Sequence, residues 1–226
     1  MTRWIAMIVL AVAATVTPIA SAAPPHDVTM TFIRHGESTG NTSGFIDTTT
    51  PGPGLTDVGR EQARKVAVRF GNAGFDGVFA STMIRTQQTA QPLADRIRQP
   101  VQVLPGLQEI EAGDYEGRPN SDGAAYFDVL RQWAQGDRDA RIPGSIDGNE
   151  FEARFNDAVA TVYATGDRNP VVFSHGGAIA LWTLMNAVNV DPALLESEPL
   201  NNTGYVVVHG SPTAGWTLVD WNGKKF

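Results

Sequence analysis

Short uninterrupted apolar runs alternate along the chain with longer segments whose apolar residues recur at helical spacing. The runs at 28–34, 75–80, 101–104 and 170–174 each give way to turn-forming or polar residues, as buried strands do. Residues 56–70 carry Val58, Ala63, Val66, Ala67 and Phe70 near helical spacing, with Thr56 as the N-cap. Ser81 is expected to cap a helix reaching about Arg98. Tyr126, Phe127, Leu130 and Trp133 form a stripe that predicts an amphipathic helix over 122–135. Residues 149–164 and 178–188 predict two more helices. The Thr-, Gly- and Pro-rich stretch 42–54 predicts a loop, and 205–209 with 216–221 a closing pair of strands. Strands alternating with helices predict an α/β fold: a three-layer α/β/α sandwich around a mainly parallel sheet.

The first 22 residues follow a different pattern. Arg3 precedes an uncharged, mostly apolar stretch from Trp4 to Val16, and Ala20-Ser21-Ala22 forms a small-residue site. This layout predicts a secretory signal peptide over 1–22 and a single domain over 23–226. The rival reading is an uncleaved anchor, whose apolar core would be shorter than the roughly 20 residues a spanning helix needs. The expected location is therefore outside the cell, in the periplasm or in the envelope, with no stable membrane insertion after cleavage. Of the 226 residues none is cysteine, which excludes disulfide scaffolds, thiol nucleophiles and zinc fingers. A net charge of −7 argues against nucleic acid as a partner.

Four strand ends carry the polar chemistry. The first reads Arg34-His35-Gly36-Glu37-Ser38, with Asn41 beyond. The second runs into Ser81 and Arg85-Thr86, the third into Leu107-Gln108-Glu109, and the fourth ends Ser174-His175-Gly176-Gly177. Parallel strands would bring all four to one sheet edge, where open α/β sheets bind ligands. Glycines after both histidines leave room for the backbone to approach a ligand, and the helix after His175 offers free amides. Two imidazoles, two guanidiniums and a carboxyl group suit a phosphate-like anion. An imidazole can attack phosphorus, arginines can hold the equatorial oxygens, and a carboxylic acid can protonate the leaving oxygen. Ser174-His175 alone fits a core histidine equally well and gains weight only beside the first block. Glu109 competes with Glu111, Asp114 and Glu116 for the acid's place. Glu37 reads as a structural hydrogen-bonding residue, and the Tyr126–Trp133 stripe as core packing, with a roof over the pocket as the lesser alternative. His26 and His209 are assigned no function, and His35 and His175 form no close His-x-His or His-x-x-x-His pair, so neither a metal nor a cofactor is expected.

The blocks resemble those of the histidine phosphatase superfamily, in its phosphoglycerate mutase-like branch. The matching segments are Arg34–Ser38 with Asn41; Leu55-Thr56, Gly59 and Gln62-Ala63; Ser81, Arg85-Thr86 and Thr89; Leu107, Glu109-Ile110, Gly113 and Tyr115–Gly117; and Ser174–Gly177. They run in the family's order from about residue 28 to the end. The resemblance implies a phosphoglycerate mutase-like fold, His35 as nucleophile, and Arg34, Arg85 and His175 around the phosphoryl group. It also implies Asn41 as a phosphate contact and Glu109 as the proton donor. Two departures bear on substrate. Residues 43–54 contain no arginine, and 118–148 contain no adjacent Arg-Arg pair of the kind mutases use on a carboxylate. The expectation is an exported, metal-independent phosphomonoesterase acting on a small phosphorylated substrate. A mutase-type phosphotransferase and a noncatalytic phosphate-ligand binder are the alternatives.

Overall fold

In the central strands, consecutive side chains go to opposite cores. Phe32, Phe79, Val172 and Val206 join one hydrophobic cluster, while their neighbours Ile33, Val78, Val171, Phe173 and Tyr205 join the other. Strands buried on both faces have no solvated side to alternate with, so they read as continuous apolar runs. A computed structural model of the protein describes residues 26–226. The expected signal segment over 1–22 lies outside the described residues.

The strands are β1 (Val28–Arg34), β2 (Gly77–Ala80), β3 (Val101–Val103), β4 (Pro170–Ser174), β5 (Tyr205–Ser211), β6 (Gly215–Trp221) and β7 (Lys224–Lys225). They form one seven-stranded sheet in the order β3-β2-β4-β1-β5-β6-β7. The ladders from β3 to β1 are parallel. Those from β1 through β5 and β6 to β7 are antiparallel. The sheet is thus more evenly mixed than expected: β5 comes back antiparallel to β1 after the helical segment 176–197, and β6 and β7 follow it through tight turns.

The helices are α1 (Thr39–Ser43), α2 (Asp57–Phe70), α3 (Ile84–Ile97), α4 (Ala124–Ala134), α5 (Gly148–Ala164), α6 (Gly176–Asn186) and α7 (Leu194–Ser197). α2 and α3 cover one face of the sheet, and α4, α5 and α6 cover the other. On the second face Phe32 and Phe155 lie 5.0 and 5.9 Å from their aromatic neighbours Trp182 and Phe32, and Phe155 lies 5.7 Å from Trp182. Such pairs add about 0.5–1.5 kcal/mol each beyond the area they bury.

Several element ends differ from expectation for identifiable reasons. Thr56 caps α2 as expected, accepting from Gly59 N–H at 3.0 Å. The buried stripe of α2 is Gly59, Ala63, Val66 and Ala67, and Val58, one position off it, is 55% exposed. α5 starts one residue earlier than predicted because Asp147 and Glu150 form a capping box. α3 starts three residues later than Ser81, with Met83 at a cap position that supplies no side-chain bond. Ser81 is engaged elsewhere, in the site described below. β3 ends at Val103, and the chain turns into a 3₁₀ helix over Pro105–Leu107. The expected loop over 42–54 holds, except that α1 takes in Thr42 and Ser43.

Candidate active site

β1, β4 and β2 run parallel, so their C-terminal ends open on one edge of the sheet. Arg34 stands opposite Ser174 in register, and His35 N–H donates to the Ser174 carbonyl at 3.0 Å. The two histidines therefore leave neighbouring strands together. Their rings meet edge to face with centroids 5.2 Å apart.

The loop carrying His35 is held tightly on all sides. Gly36 N–H donates to Thr89 Oγ1 at 2.9 Å. A Cβ at Gly36 would stand 2.8 Å from the Gly59 carbonyl oxygen, and one at Gly59 only 2.0 Å from that of Glu37. The glycines thus let the start of α2 lie directly against the nucleophile loop. Glu37 has the structural part expected of it, accepting from Thr56 Oγ1 at 2.7 Å. From the other side, Thr203 N–H reaches the Arg34 and His35 carbonyls, and Asn202 Nδ2 donates to the His35 carbonyl at 3.1 Å.

His35 Nδ1 lies 2.7 Å from the Gly36 carbonyl oxygen. A carbonyl only accepts, so Nδ1 carries the ring proton and Nε2 keeps its lone pair. His175 has the opposite assignment. Arg85 Nε donates to its Nδ1 at 3.4 Å, which leaves Nε2 as the protonated nitrogen, donating to Ser81 Oγ at 2.9 Å. Ser81 Oγ in turn donates to Thr86 Oγ1 at 2.9 Å, whose own proton goes to the Met83 carbonyl at 2.8 Å. Ser81, expected to cap a helix, instead fixes the ring of His175. Fully buried, His175 backs Arg85 and His35 and does not itself line the cavity in front of them.

Glu109 is held by amides. Oε1 accepts from Ile110 N–H at 3.0 Å and Ala178 N–H at 2.9 Å; Oε2 accepts only from Gly177 N–H, at 3.3 Å. His175, the N-cap of α6, gives that helix no side-chain bond, and Glu109 takes the part with favourable dipole sign. Gly176 and Gly177 line the cavity, as expected of a backbone that a ligand approaches, and they also make room for protein side chains. A Cβ at 176 would lie 3.2 Å from Arg34 Cδ, and one at 177 would lie 3.0 Å from Glu109 Oε1. The acid's loop is pinned by Arg154, which donates to the carbonyls of Gly106, Gln108 and Glu109, and by Ser174 Oγ donating to the Leu107 carbonyl. The competing carboxylates are occupied elsewhere: Glu116 by Thr48 and Glu111 by Arg154 at 3.5 Å. Neither they nor Asp114 line the cavity.

That cavity measures about 480 Å³, and Arg34, His35, Asn41, Arg85 and Glu109 line it. Arg34 is anchored by Nη1 donating to the Leu200 carbonyl at 2.5 Å. Its Nε and the Nη1 of Arg85 are buried donors without a hydrogen-bond acceptor. Asn41 sits in the first turn of α1, where its Oδ1 accepts from Ser38 N–H at 3.0 Å and from Asn202 Nδ2 at 3.2 Å. Phe127 and Leu130 of the predicted stripe line the cavity with Tyr126, whereas Trp133 of the same stripe is core. Sequence reasoning missed Asn202 and the segment 195–200, which supplies Leu195, Glu196, Pro199 and Leu200 to the wall. No motif marks that segment.

A profile of the histidine phosphatase superfamily (branch 1) matches residues 30–224. The chain belongs to this superfamily. Among its relatives, the PE-PGRS family protein PE_PGRS11 of Mycobacterium tuberculosis is 42% identical over 213 residues, covering 87% of this chain and 36% of that protein. The chain thus spans about a third of that relative's length. A probable phosphoglycerate mutase of an Enterobacter species is 33% identical over 170 residues, 73% of this chain and 76% of that one. The fold is shared with a mycobacterial glucosyl-3-phosphoglycerate phosphatase at a TM-score of 0.72, with 22% identity over 88% of this chain and 100% of that one. It is also shared with a phosphoserine phosphatase of Entamoeba histolytica, solved with 3-phosphoglyceric acid, at a TM-score of 0.68. That pair is 23% identical over 87% of this chain and 98% of the other.

In this member of the superfamily the electrostatics keep both imidazoles neutral. Burial, reinforced by the charges of Arg85 and Arg34, holds His35 well below the usual imidazole range. Burial likewise holds His175 well below it, with His35, Arg85 and Arg34 adding to the effect. Burial also lowers Arg34 and Arg85, and the charge of Glu109 opposes it at both. Because the folded-state values lie below the unfolded value of about 6.5, the unfolded chain takes up these protons first as pH falls. The stability conferred by the neutral rings is complete above that pH and is lost below it. Unfolding in urea is expected to become easier between pH 6.5 and 5, by on the order of 1 kcal/mol per pH unit for each ring. The His35→Ala protein should show a shallower slope than the wild type, and equal slopes would contradict the assignment.

Proposed function

We propose that the protein is an exported phosphomonoesterase that passes the phosphoryl group of its substrate to His35 Nε2 and then to water, without a metal. The observation that carries this reading is the commitment of His35 Nδ1 to the Gly36 carbonyl. It leaves Nε2 unprotonated beside two guanidiniums that retain unsatisfied donors. In the first step Nε2 forms a bond to phosphorus as the ester P–O bond breaks. The leaving oxygen takes a proton from Glu109. Of the two carboxyl oxygens, Oε2, with one long amide contact, is the one free to carry that proton. In the second step water attacks phosphorus, the P–N bond breaks, and Glu109 recovers a proton from the water. Arg34 and Arg85 hold the equatorial oxygens through both steps, supplying the positive charge that a metal supplies elsewhere. Asn41, which lines the cavity, adds a donor through Nδ2, and His175 serves by holding Arg85 and the His35 ring.

A hydrolase is favoured over a glycerate-phosphate mutase by the charges of the wall. Besides Arg34 and Arg85, its cation is Arg131, which is paired with Asp128 and, at 3.5 Å, with Glu196. A substrate carboxylate would find no unpaired partner there.

The test is phosphate release from a panel of esters by purified protein in the presence of a chelator. Turnover should persist, and vanadate should inhibit; activity lost to the chelator and restored by a divalent cation would overturn the metal-free reading. On the best ester of that panel, Arg85→Ala is expected to cost about 10²–10³ in kcat/KM, comparable to removing one preorganised donor. Lysine should recover only part of this, because it offers a point charge where a fork is needed. Export is supported by the residue pattern of the first 22 positions. Replacing Ile5 to Val12 with polar residues should leave the protein in the cytoplasm, and unchanged export would refute that part of the reading.

A further inference from the structure

The catalytic groups make up only part of the cavity wall, and much of the remainder is apolar. The loop after α1 contributes Phe45, α4 contributes Tyr126, Phe127 and Leu130, and the segment around α7 contributes Leu195 and Leu200. Phe45 is 51% exposed and Phe127 49%. Two half-exposed aromatic rings facing one cavity differ from single apolar residues scattered over a surface. The polar side chains of this wall do little to offset it. The charges of Arg131 and Glu196 face each other at 3.5 Å and the Thr48 hydroxyl is spent on Glu116, which leaves Asn120 and the Asp47 carboxylate as the other polar groups beside the apolar side chains. A volume of about 480 Å³ falls in the roughly 300–1,000 Å³ range that holds a whole small organic molecule. A phosphoryl group alone fills only a small part of it.

We infer that the leaving group is apolar: the substrate is the phosphate monoester of an alkyl or aryl alcohol, not of a sugar or a carboxylic acid. The inference rests on the phosphomonoesterase reading, which supplies the phosphate end of the same ligand. A polyol in this cavity would lose its water hydrogen bonds against Phe127, Leu130 and Leu195 without replacing them. An alkyl chain would cover these side chains and gain about 0.8 kcal/mol for each methylene buried.

The test uses two homologous series. For n-alkyl phosphates from ethyl to hexyl, kcat/KM should rise about fourfold per methylene. Hexyl phosphate should exceed 3-phosphoglycerate and glucose 6-phosphate by tenfold or more. The n-alkylphosphonates cannot be hydrolysed, so their inhibition or binding constants read the same slope without turnover. Phe127→Asn and, independently, Leu195→Asn should each lower the hexyl-to-ethyl ratio by about tenfold; the second serves if the first fails to fold. A flat series in both turnover and phosphonate binding, or sugar phosphates turned over faster than hexyl phosphate, overturns the inference and leaves the phosphatase reading intact. No turnover of any ester, with the phosphonate slope preserved, overturns the phosphatase reading and upholds the apolar ligand.

Discussion

His35→Ala is expected to lower turnover by about 10⁴-fold or more while leaving the protein folded. The covalent step needs a ring nitrogen at this strand end, and the other nearby imidazole cannot replace it. His175 is fully buried, with one nitrogen accepting from Arg85 and the other engaged with Ser81. The fold should survive because the loop is held through its backbone by Thr89, Thr203 and Asn202, not through the ring. Arg34 and Arg85 remain to bind phosphate. Steady-state kinetics and circular dichroism on the purified variant make the check. Adding His175→Ala should cost little more, since groups that act as a unit are not additive. Substantial turnover by folded His35→Ala protein would remove the phosphohistidine step.

Glu109→Gln carries the second large expected effect, and it depends on the substrate. The amide keeps the shape of the side chain and its place at the start of α6, but it has no proton to transfer. With alkyl phosphates, whose alkoxides leave poorly, the loss should be about 10²–10⁴-fold. With an activated aryl phosphate, whose phenolate leaves unaided, phosphorylation of the enzyme should be far less affected. Burst kinetics separate that step from hydrolysis of the phosphoenzyme, which should slow for want of a base. Glu111→Gln and Asp114→Asn, which lie off the cavity, should show no dependence on leaving group. If either shows it and Glu109→Gln does not, the acid has been misassigned.

The parallel half of the fold was readable because β1, β2 and β4 are buried on both faces and so appear as plain apolar runs. The blocks around His35, Arg85, Glu109 and His175 were readable because each follows a strand or turn at that one edge. Hydrogen-bond direction was harder to foresee. Ser81 has the residue type of a cap, and only the later start of α3 at Ile84 frees its hydroxyl for His175. Gly176 and Gly177 do line the cavity, but spacing alone did not show that they also make room for Arg34 and Glu109. The wall supplied by Leu195, Pro199 and Leu200 had no pattern to announce it. Its one regular element, α7, spans only Leu194–Ser197, too short for a helical period to show. Even the predicted α4 stripe was ambiguous. Its spacing marks Tyr126, Phe127, Leu130 and Trp133 alike as apolar, and only packing separates the Phe127 of the cavity mouth from the Trp133 of the core.

The most direct measurement is acid-free rapid quench of the wild-type protein with a ³²P-labelled ester, followed by peptide mapping. The account predicts label that is stable to alkali, labile to acid, and confined to the peptide containing His35. It also predicts that this label appears and decays at rates that match turnover. Label on a serine or aspartate, or turnover proceeding with no labelled enzyme at any time, would contradict it.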